Sequence, residues 1–494
     1  MLVEMNARSE LSRLRDPRLL RELAYVDGKW CAGASGATRD VQDPASGEIL
    51  GAVACLDAGE ASEAISAAER AFPAWRALLP QERAAYLRAW YEAMREARED
   101  LALLMTLEQG KPLAEARGEI DYAASFVEWY AEDAKRVNVE QVTPHLPQTD
   151  MVVRREPVGV AALVTPWNFP SAMITRKAAA ALAAGCCVVV HPSMETPFSA
   201  LALAELADRV GLPAGIFNIV TGKGAEVVGT FCKDPRVRAL SFTGSTEIGR
   251  LLARQCADSV KSLVLELGGH APFIVFPDAD LEKAVDSAMS AKFATSGQDC
   301  LAANRIFVQR EIYDAFAAAL ARRVKALKVG PGLEPGVDIG PLMNEKAVAK
   351  CEAHVVDALE KGATLLAGGR RHAQGPLFYE PTLLAGVPED ALILSEETFG
   401  PVAALVPFED ESEIVARANA TDYGLVAYLH TRDYGRISRL SRALDFGMVA
   451  VNRTKITGAP VPFGGVKQSG LGREGSRHGL EAFTELKYVC LDAA

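Results

Sequence analysis

The spacing of hydrophobic and polar residues divides the chain into a helical first part and a longer part in which strands and helices alternate. Between residues 60 and 135, apolar residues recur at steps of three and four, which predicts helices. From residue 158 onward, short apolar runs such as VGVAALVTP (158–166) and CCVVVHP (186–192) alternate with helical stretches such as SAMITRKAAAALAAG (171–185), whose final glycine predicts the end of that helix. This alternation predicts a parallel sheet whose strands are connected by helices.

The alternating pattern restarts after residue 266. Strand-like runs at 271–276 and 304–309 are each followed by a helical stretch, at 280–296 and 312–327. A chain of 494 residues is too long for one core, so two α/β halves are expected. Ahead of them, the β-branched residues of TDMVVRREPVGVAALV (149–164) predict a pair of strands.

Composition narrows the class of protein. The formal net charge of −11 argues against a nucleic-acid surface. The start has no continuous apolar core typical of a secretory signal, and the longest apolar run, of 13 residues at 178–190, is too short to cross a bilayer. Nine cysteines without paired or CxxC spacing indicate free thiols, and seven scattered histidines suggest no metal site. We therefore expect a cytoplasmic protein without membrane or nucleic-acid partners.

Three residues have two possible interpretations each. Cys300 follows a polar Ser-Gly-Gln-Asp turn and is either a packed thiol or a nucleophile supported by nearby donors. Glu266 ends an apolar strand before Gly-Gly and is either a solvated residue or a desolvated general base with a raised pKa. Asn168, in TPWNFP (165–170), is either a turn residue or a hydrogen-bond donor to a developing oxyanion.

A fourth segment, SFTGSTEIGR (241–250), is a strand end, a turn and the start of a helix. Gly244 and Gly249 lie five residues apart, so the spacing is not that of GxGxxG. Backbone N–H groups and Ser245 at a helix N-terminus can nevertheless face a pyrophosphate. The alternative is a strand–helix turn that merely requires glycine.

In combination, Asn168, Glu266 and Cys300, with EETFGP (396–401) and PFGGVKQSGLGREG (462–475), resemble the aldehyde dehydrogenase superfamily. The resemblance runs from about residue 23 to the C-terminus and is greatest with the succinate-semialdehyde dehydrogenases. It implies an α/β fold with a homodimer or homotetramer as the assembly. The implied parts are a doubly wound cofactor-binding domain (23–138 and 158–265), an α/β catalytic domain (266–458) and a small β oligomerisation element (139–157 and 484–494).

The resemblance also implies a reaction. Cys300 would attack the aldehyde carbon, and the Asn168 side chain and Cys300 N–H would stabilise the oxyanion. Hydride transfer to nicotinamide would leave a thioester, and Glu266 would activate the water that hydrolyses it. Arg176 and Thr457 match substrate-binding positions. The positions implied for the cofactor are Thr165, Pro166, Trp167, His191, Ser193, Met194, Gly244, Ser245, Leu267, Glu397 and Phe399.

The chain departs from the family pattern at several positions. Beside the adenosine ribose, His191 and Met194 replace the usual lysine and the usual glutamate or small polar residue. Methionine neither binds ribose hydroxyls nor repels a 2′-phosphate, so we expect NAD or NADP to be accepted, with NAD modestly favoured. Ala294 replaces a second substrate-binding arginine, His270 replaces an asparagine, and Ala302 removes a cysteine found near the nucleophile in several relatives.

The resemblance implies oxidation of an aldehyde, with an anionic semialdehyde such as succinate semialdehyde as the preferred substrate. Asp299, beside the nucleophile, favours the alternative of an amino-aldehyde, and a general aliphatic aldehyde is a further alternative. Arg453 and Lys455 either restore the charge lost at Ala294 or are solvated. Glu266 argues against a coenzyme A-acylating enzyme, and the intact catalytic residues argue against an inactive scaffold.

Overall fold

The structure is a computed structural model that describes residues 7–137 and 139–493. The described residues contain fourteen α-helices and eight short 3-10 helices. The α-helices are α1 (Ala7–Glu10), α2 (Ala58–Ala77), α3 (Pro80–Glu96), α4 (Arg98–Gln109), α5 (Leu113–Asp133), α6 (Ala172–Ala184), α7 (Pro197–Arg209), α8 (Gly224–Lys233), α9 (Thr246–Cys256), α10 (Leu281–Phe293), α11 (Arg310–Lys325), α12 (Glu345–Glu360), α13 (Glu411–Asn419) and α14 (Tyr434–Ala443). The 3-10 helices are Leu11–Arg13, Pro17–Leu19, Ala134–Arg136, Ala257–Ser259, Ala294–Gly297, Leu392–Leu394, Lys467–Ser469 and Arg477–Phe483.

Twenty strands occur in the described residues. They are β1 (Ala24–Val26), β2 (Lys29–Cys31), β3 (Thr38–Gln42), β4 (Ile49–Ala54), β5 (Glu140–Val142), β6 (Thr149–Pro157), β7 (Val160–Val164), β8 (Cys187–His191), β9 (Phe217–Ile219), β10 (Val237–Thr243), β11 (Ser262–Glu266), β12 (Ala271–Val275), β13 (Ala303–Gln309), β14 (Thr364–Ala367), β15 (Thr382–Ala385), β16 (Val402–Phe408), β17 (Val426–His430), β18 (Met448–Val451), β19 (Gly470–Leu471) and β20 (Thr484–Asp492).

The first α/β half is built on an eight-stranded sheet in the order β19-β11-β10-β7-β8-β9-β1-β2. Its five central strands, β11 to β9 in that order, run parallel, and antiparallel strands are added at both edges. Helix α6 is buried along its whole length and ends at Gly185, whose φ of 101° is the left-handed conformation that glycine adopts readily. The predicted doubly wound sheet is confirmed.

The second half is a seven-stranded sheet in the order β14-β15-β16-β13-β12-β17-β18, parallel except at β14. Successive side chains of a strand face opposite sides of a sheet. Accordingly, Phe273 and Val275 of β12 belong to one apolar core, and Ile274 belongs to another on the opposite face. Both faces are covered, as expected for a parallel sheet.

The predicted pairing within residues 149–164 is wrong, although both strands exist. β6 pairs with β5 and β20, whereas β7 lies between β8 and β10 in the large sheet. The two strands have different burial patterns: β7 is buried throughout, and β6 is largely half-buried. Gly159, with a φ of 129°, lies where the chain passes from one sheet to the other.

Residues 140–142, 149–157 and 484–492 form one three-stranded antiparallel sheet, so the structure brings the two segments of the expected oligomerisation element together. Asn138 and Ala494, which end two of the expected ranges, lie outside the described residues. The division into domains and the role of this sheet in assembly stay predictions. Among the described residues, no helix combines the length and apolarity needed to cross a bilayer.

Candidate active site

The catalytic residues expected from the sequence meet where the two large sheets approach each other. Thr165, Thr243 and Glu266 lie at the carboxyl ends of β7, β10 and β11, the usual place for a ligand in a parallel sheet. Two cavities, of about 530 and 290 Å³, share walls made by Pro166, Trp167, Thr243 and Gly244. We call the two cavities together the long groove; one end contains Cys300, and the other contains His191.

The Cys300 loop has an unusual backbone. Thr295, Ser296 and Gly297 all have positive φ, and a β-carbon on Gly297 would lie 2.3 Å from the Gly400 carbonyl oxygen. Gly269 lies so close to the loop that a β-carbon there would be 2.1 Å from the carbonyl oxygen of Cys300. The Cys300 loop is therefore held by close backbone packing, which explains glycine at both positions.

The Cys300 thiol lies among acidic side chains. Burial raises the pKa of Cys300 well above its ordinary value, and the carboxylates of Asp299 and Glu397 raise it further. Arg176 acts in the opposite direction. In the unliganded protein the thiol is therefore predominantly protonated at neutral pH.

Asn168 is buried beside the Cys300 loop. One N–H of its side-chain amide donates to the Gln298 carbonyl oxygen at 3.0 Å, and Gln298 in turn accepts from the Met343 N–H at 2.9 Å. A primary amide carries two N–H donors. The second donor of Asn168 is available to an oxyanion on a carbon bound to Cys300, and the two side chains line the same cavity.

A buried ion pair that the sequence did not reveal supports Asn168. Lys111 Nζ lies 2.5 Å from a carboxylate oxygen of Glu119 and donates to the Asn168 carbonyl oxygen at 2.7 Å. The other oxygen of Glu119 accepts from the N–H groups of Ser171 and Ala172 at the start of α6. The pair thus joins the Asn168 loop to helix α6, which follows it.

Glu266 is 2% exposed, and neither of its carboxylate oxygens has a hydrogen-bond partner in the protein. Burial and the nearby Glu474 raise its pKa well above the ordinary value, against the effects of Arg176 and Lys177. The side chain lies against Gly464, where a β-carbon would be 3.0 Å from Oε1. The desolvated-base interpretation is therefore favoured over a solvated strand end.

A second cluster of buried charged residues, which the sequence analysis did not identify, lies close to Glu266. Lys177 Nζ donates to Glu474 and to Thr243 Oγ1, the latter at 2.6 Å. Arg176 Nε lies 2.6 Å from the other Glu474 oxygen, in an ion pair that is not aligned as a hydrogen bond. Burial opposes ionisation of Glu474, but the two cations outweigh it and lower its pKa.

The residues expected to hold the nicotinamide side line the Cys300 end of the groove. Gly269 N–H donates to Glu397 Oε1 at 3.0 Å, and burial raises the pKa of Glu397 to about 7 despite this bond. Trp167 and Phe399 meet edge to face with ring centroids 5.6 Å apart. Leu267 also lines this cavity, as does Lys350, which sequence reasoning missed.

Gly244 and Ser245 lie in the turn before α9, as expected. The Gly244 N–H donates to the Glu266 carbonyl oxygen at 3.0 Å, and the Ser245 hydroxyl accepts from the Ile248 N–H at 3.4 Å as the helix N-cap. Gly249 is required for packing, because a β-carbon there would lie 2.3 Å from a Leu267 methyl group. The turn and its packing against Leu267 therefore explain why position 249 is glycine.

At the other end of the groove lie His191, Ser193 and Met194. His191 Nδ1 is 2.9 Å from the Val220 carbonyl oxygen, and burial lowers its pKa, so the ring is neutral. Thr165 Oγ1 also faces this region and is buried without a partner in the protein.

The two expected substrate residues share a neighbour, Tyr122: burial raises the pKa of its hydroxyl, and the nearby Arg176 and Thr457 side chains act against that rise. The Arg176 guanidinium stacks on Phe463 at 4.2 Å, and its Nη1 has no protein partner. Arg453 is exposed and donates to the Lys455 carbonyl oxygen at 3.0 Å. This contact within its own loop favours the interpretation of Arg453 as a solvated loop charge.

The departures at Ala294, Ala302 and His270 have different surroundings. Ala294 is exposed, Ala302 is buried, and all nine cysteines are free. His270 is buried, with Nε2 3.1 Å from the Ile393 carbonyl oxygen, and burial keeps its pKa well below the ordinary value. In residues 7–137 and 139–493, no group of three or more His, Cys, Asp or Glu side chains is arranged to hold a metal ion.

Comparisons with known proteins agree with this geometry. Residues 30–489 match the model of the aldehyde dehydrogenase family. The chain is 56% identical to an aspartate-semialdehyde dehydrogenase (non-phosphorylating) of Halomonas elongata, with 98% of both chains covered. It is 53% identical to the succinate-semialdehyde dehydrogenase [NADP(+)] GabD of Escherichia coli, covering 97% of this chain and 99% of the relative. The crystal structure of a succinate-semialdehyde dehydrogenase from Burkholderia pseudomallei superposes with a TM-score of 0.96 at 52% identity, covering 97% of this chain and all of that one. The chain therefore belongs to the aldehyde dehydrogenase family.

Proposed function

We propose that this chain oxidises an anionic semialdehyde, such as succinate semialdehyde, to the carboxylate with NAD or NADP. The observation that carries the proposal is the unpartnered Nη1 of Arg176, a buried cation close enough to Cys300 to affect its pKa. A carboxylate that leaves water needs charged or hydroxyl partners. Arg176, Tyr122 and Thr457 supply a guanidinium and two hydroxyl groups close to one another.

In this proposal, Cys300 attacks the aldehyde carbon as the thiolate, and the free Asn168 amide N–H stabilises the oxyanion of the thiohemiacetal. A nicotinamide bound in the long groove would supply the acceptor for the hydride that leaves this carbon, so that the thiohemiacetal on Cys300 becomes a thioester. Glu266 then removes a proton from the water that attacks the thioester, which releases the carboxylate and Cys300. The raised pKa of Glu266 suits this base. Lys177 and Glu474, which pair with each other, have opposite effects on that pKa.

The residues of the long groove fit a dinucleotide. Glu397 and the Trp167–Phe399 pair would hold the nicotinamide and its ribose, and the buried, unpartnered Thr165 hydroxyl is a free hydrogen-bonding group along the groove. The N-terminus of α9, at Ser245, would favour the pyrophosphate. Acceptance of both NAD and NADP, with NAD modestly favoured, remains part of the proposal.

The test is an aldehyde panel measured with NAD+ and NADP+. Succinate and glutarate semialdehydes are compared with a neutral aldehyde of similar length and with 4-aminobutanal, in the wild type, Thr457→Val and Arg176→Met. We expect the anionic semialdehydes to have the highest kcat/KM and to lose roughly ten- to hundredfold in both variants, the effect of one charged hydrogen bond. The neutral aldehyde reports folding, and a uniform loss for all substrates would refute the carboxylate site.

Asp299 favours a second candidate substrate that carries an ammonium as well as a carboxylate. Its Oδ1 accepts from the Leu301 N–H at 3.0 Å, and the carboxylate lies close enough to the Cys300 thiol to raise the pKa of that thiol. Aspartate semialdehyde is succinate semialdehyde with an ammonium group on C2. Asp299 would bind that ammonium, while Arg176 bound the carboxylate. The name of the Halomonas elongata relative supports this candidate.

This candidate is tested by the ratio of kcat/KM for L-aspartate semialdehyde to that for succinate semialdehyde. Because the substrates differ only in the amino group, the ratio isolates its recognition. We expect Asp299→Asn to lower the ratio roughly tenfold. An unchanged ratio would remove Asp299 from substrate recognition and leave the anionic-semialdehyde proposal standing.

We further propose that the three-stranded sheet mediates a homodimer or homotetramer. Leu486 and Tyr488, which lie on the same face of β20, are 61% and 54% exposed, and exposed apolar side chains of this kind are typical of an interface. Replacing Tyr488 with Asp should shift the mass measured by light scattering towards the monomer. The free state of all nine cysteines supports a reducing compartment such as the cytoplasm.

A further inference from the structure

The end of the long groove away from Cys300 contains an ion pair that neither the family motifs nor the sequence pattern indicated. Arg39 belongs to β3, in the separate two-stranded sheet, yet its side chain lines this cavity together with Ser193 and Glu195. Arg39 Nη2 donates to Glu195 Oε1 at 3.2 Å, and the Ser193 hydroxyl donates to Glu195 Oε2 at 2.5 Å. The pair is half-exposed, with 50% of the Arg39 side chain and 36% of the Glu195 side chain accessible.

The two family positions that would select the nucleotide are not available for that role. Met194 is 6% exposed, and its sulfur lies 3.2 Å from the Gly222 N–H, turned into the protein. His191 is neutral and bonded to a backbone carbonyl. Within the described part of the chain, Arg39 is the only side chain with a permanent positive charge that lines this cavity.

We propose that Arg39 recognises the 2′-phosphate of NADP and that Glu195, by pairing with Arg39, limits the preference for NADP. The inference rests on the proposed binding of a dinucleotide in the long groove. An arginine binds phosphate through parallel N–H donors, whereas an exposed ion pair contributes little stability and is easily exchanged. Arg39 can therefore leave Glu195 for a phosphate.

Glu195 acts against the phosphate in two ways. It neutralises Arg39 when no phosphate is present, and its own negative charge repels a phosphate bound nearby. The carboxylate is also free to accept hydrogen bonds from the ribose hydroxyls of NAD once Arg39 has moved. The balance between the two residues explains why both nucleotides would be accepted, even though the usual lysine and glutamate are absent.

The test measures binding of nucleotide fragments to the full-length protein without substrate. Isothermal titration gives the Kd of 5′-AMP and of 2′,5′-ADP, which differ only in the 2′-phosphate, for the wild type, Arg39→Gln and Glu195→Gln. We expect Arg39→Gln to weaken 2′,5′-ADP roughly tenfold, and Glu195→Gln to strengthen it by a similar factor. Binding of 5′-AMP should change less than twofold in Arg39→Gln.

Lys223→Gln is the matched control, because Lys223 is a nearby exposed cation, with 78% of its side chain accessible, that does not line the cavity. It should leave both Kd values unchanged. If the ratio of the Kd for 2′,5′-ADP to the Kd for 5′-AMP is the same in Arg39→Gln and in the wild type, Arg39 does not recognise the 2′-phosphate. That result would leave the proposed binding of a dinucleotide standing. If the wild type bound neither fragment nor NAD+, the proposed cofactor groove would fail, and this inference would fail with it.

Discussion

Gly269 packs its α-carbon directly against the carbonyl oxygen of Cys300, and a β-carbon at position 269 would approach that oxygen to 2.1 Å. The same residue donates its N–H to Glu397 at 3.0 Å. One glycine therefore contacts both the Cys300 loop and Glu397, at the Cys300 end of the long groove.

The first prediction is that Gly269→Ala lowers kcat/KM by about a hundredfold. The added methyl group must displace the Cys300 loop, and a shift of about 1 Å at a reacting atom has an effect of this size. Gly118→Ala is the control, because no atom would lie within 4 Å of the new methyl group in α5. It should keep full activity and raise stability by about 0.5–1 kcal/mol. Normal turnover by Gly269→Ala would contradict the close packing.

The second prediction separates the two chemical steps. Cys300→Ala should lower turnover by about 10⁴-fold or more, because the nucleophile is lost. Glu266→Gln should slow hydrolysis of the thioester more than its formation, since the amide cannot remove a proton from water. Stopped-flow measurement should then show a burst of reduced cofactor followed by a slow steady state. A Glu266→Gln enzyme that slows without a burst would assign Glu266 to an earlier step.

The third prediction concerns pH. Because the pKa of Cys300 is raised, the thiolate fraction is small at neutral pH and increases as the pH rises. Alkylation of the unliganded protein by iodoacetamide should therefore become faster with pH, by about tenfold per unit below the pKa. Asp299→Asn removes a negative charge that raises this pKa, so its curve should shift to lower pH.

The exposed Asp286→Asn serves as the control and should leave the alkylation curve in place, because Asp286 pairs with Arg323 on the surface. A shift to higher pH in Asp299→Asn would show that Asp299 helps Cys300 to ionise. This measurement needs neither substrate nor cofactor, and so it is independent of the substrate proposal.

The fourth prediction concerns the buried pair Lys111–Glu119, whose side chains are each 1% exposed. Removing one partner leaves an uncompensated buried charge, which costs about 3–5 kcal/mol. Glu119→Gln should lower the free energy of unfolding in urea by about that amount and also reduce kcat, since Lys111 holds the Asn168 loop. Glu409→Gln breaks an exposed pair with Arg310 and should cost less than about 1 kcal/mol.

Local patterns predicted the parts of this structure that depend on neighbours in sequence. The alternation of apolar runs and helical stretches predicted the parallel strands of both large sheets, and the glycine after α6 predicted its end. The strand pair was mispredicted because β6 pairs with β5, which precedes it, and with β20, more than 300 residues later, instead of with β7. Adjacent strands in a sequence need not pair, and alternation alone does not identify the partner.

The ion pairs around the site could not be predicted from the sequence for the same reason. Lys177 and Glu474 are 297 positions apart, and Arg39 and Glu195 are 156 positions apart. Glu474 lies inside a motif that carried the family resemblance, but nothing local marks it as the partner of a buried lysine. Motifs therefore identified the residues that would touch the substrate, whereas the residues that hold them needed the three-dimensional structure.

The pairing of Arg176 and Lys177 with Glu474 has a consequence for biosynthesis. A ribosome releases α6 and the five parallel strands of the first large sheet long before residue 474 emerges, so these two cations are made without their anionic partner. Burying them unpaired would be costly. We therefore expect the core around α6 to close only late, when the C-terminal part of the nascent chain adds β19 to the edge of the sheet and brings Glu474 with it.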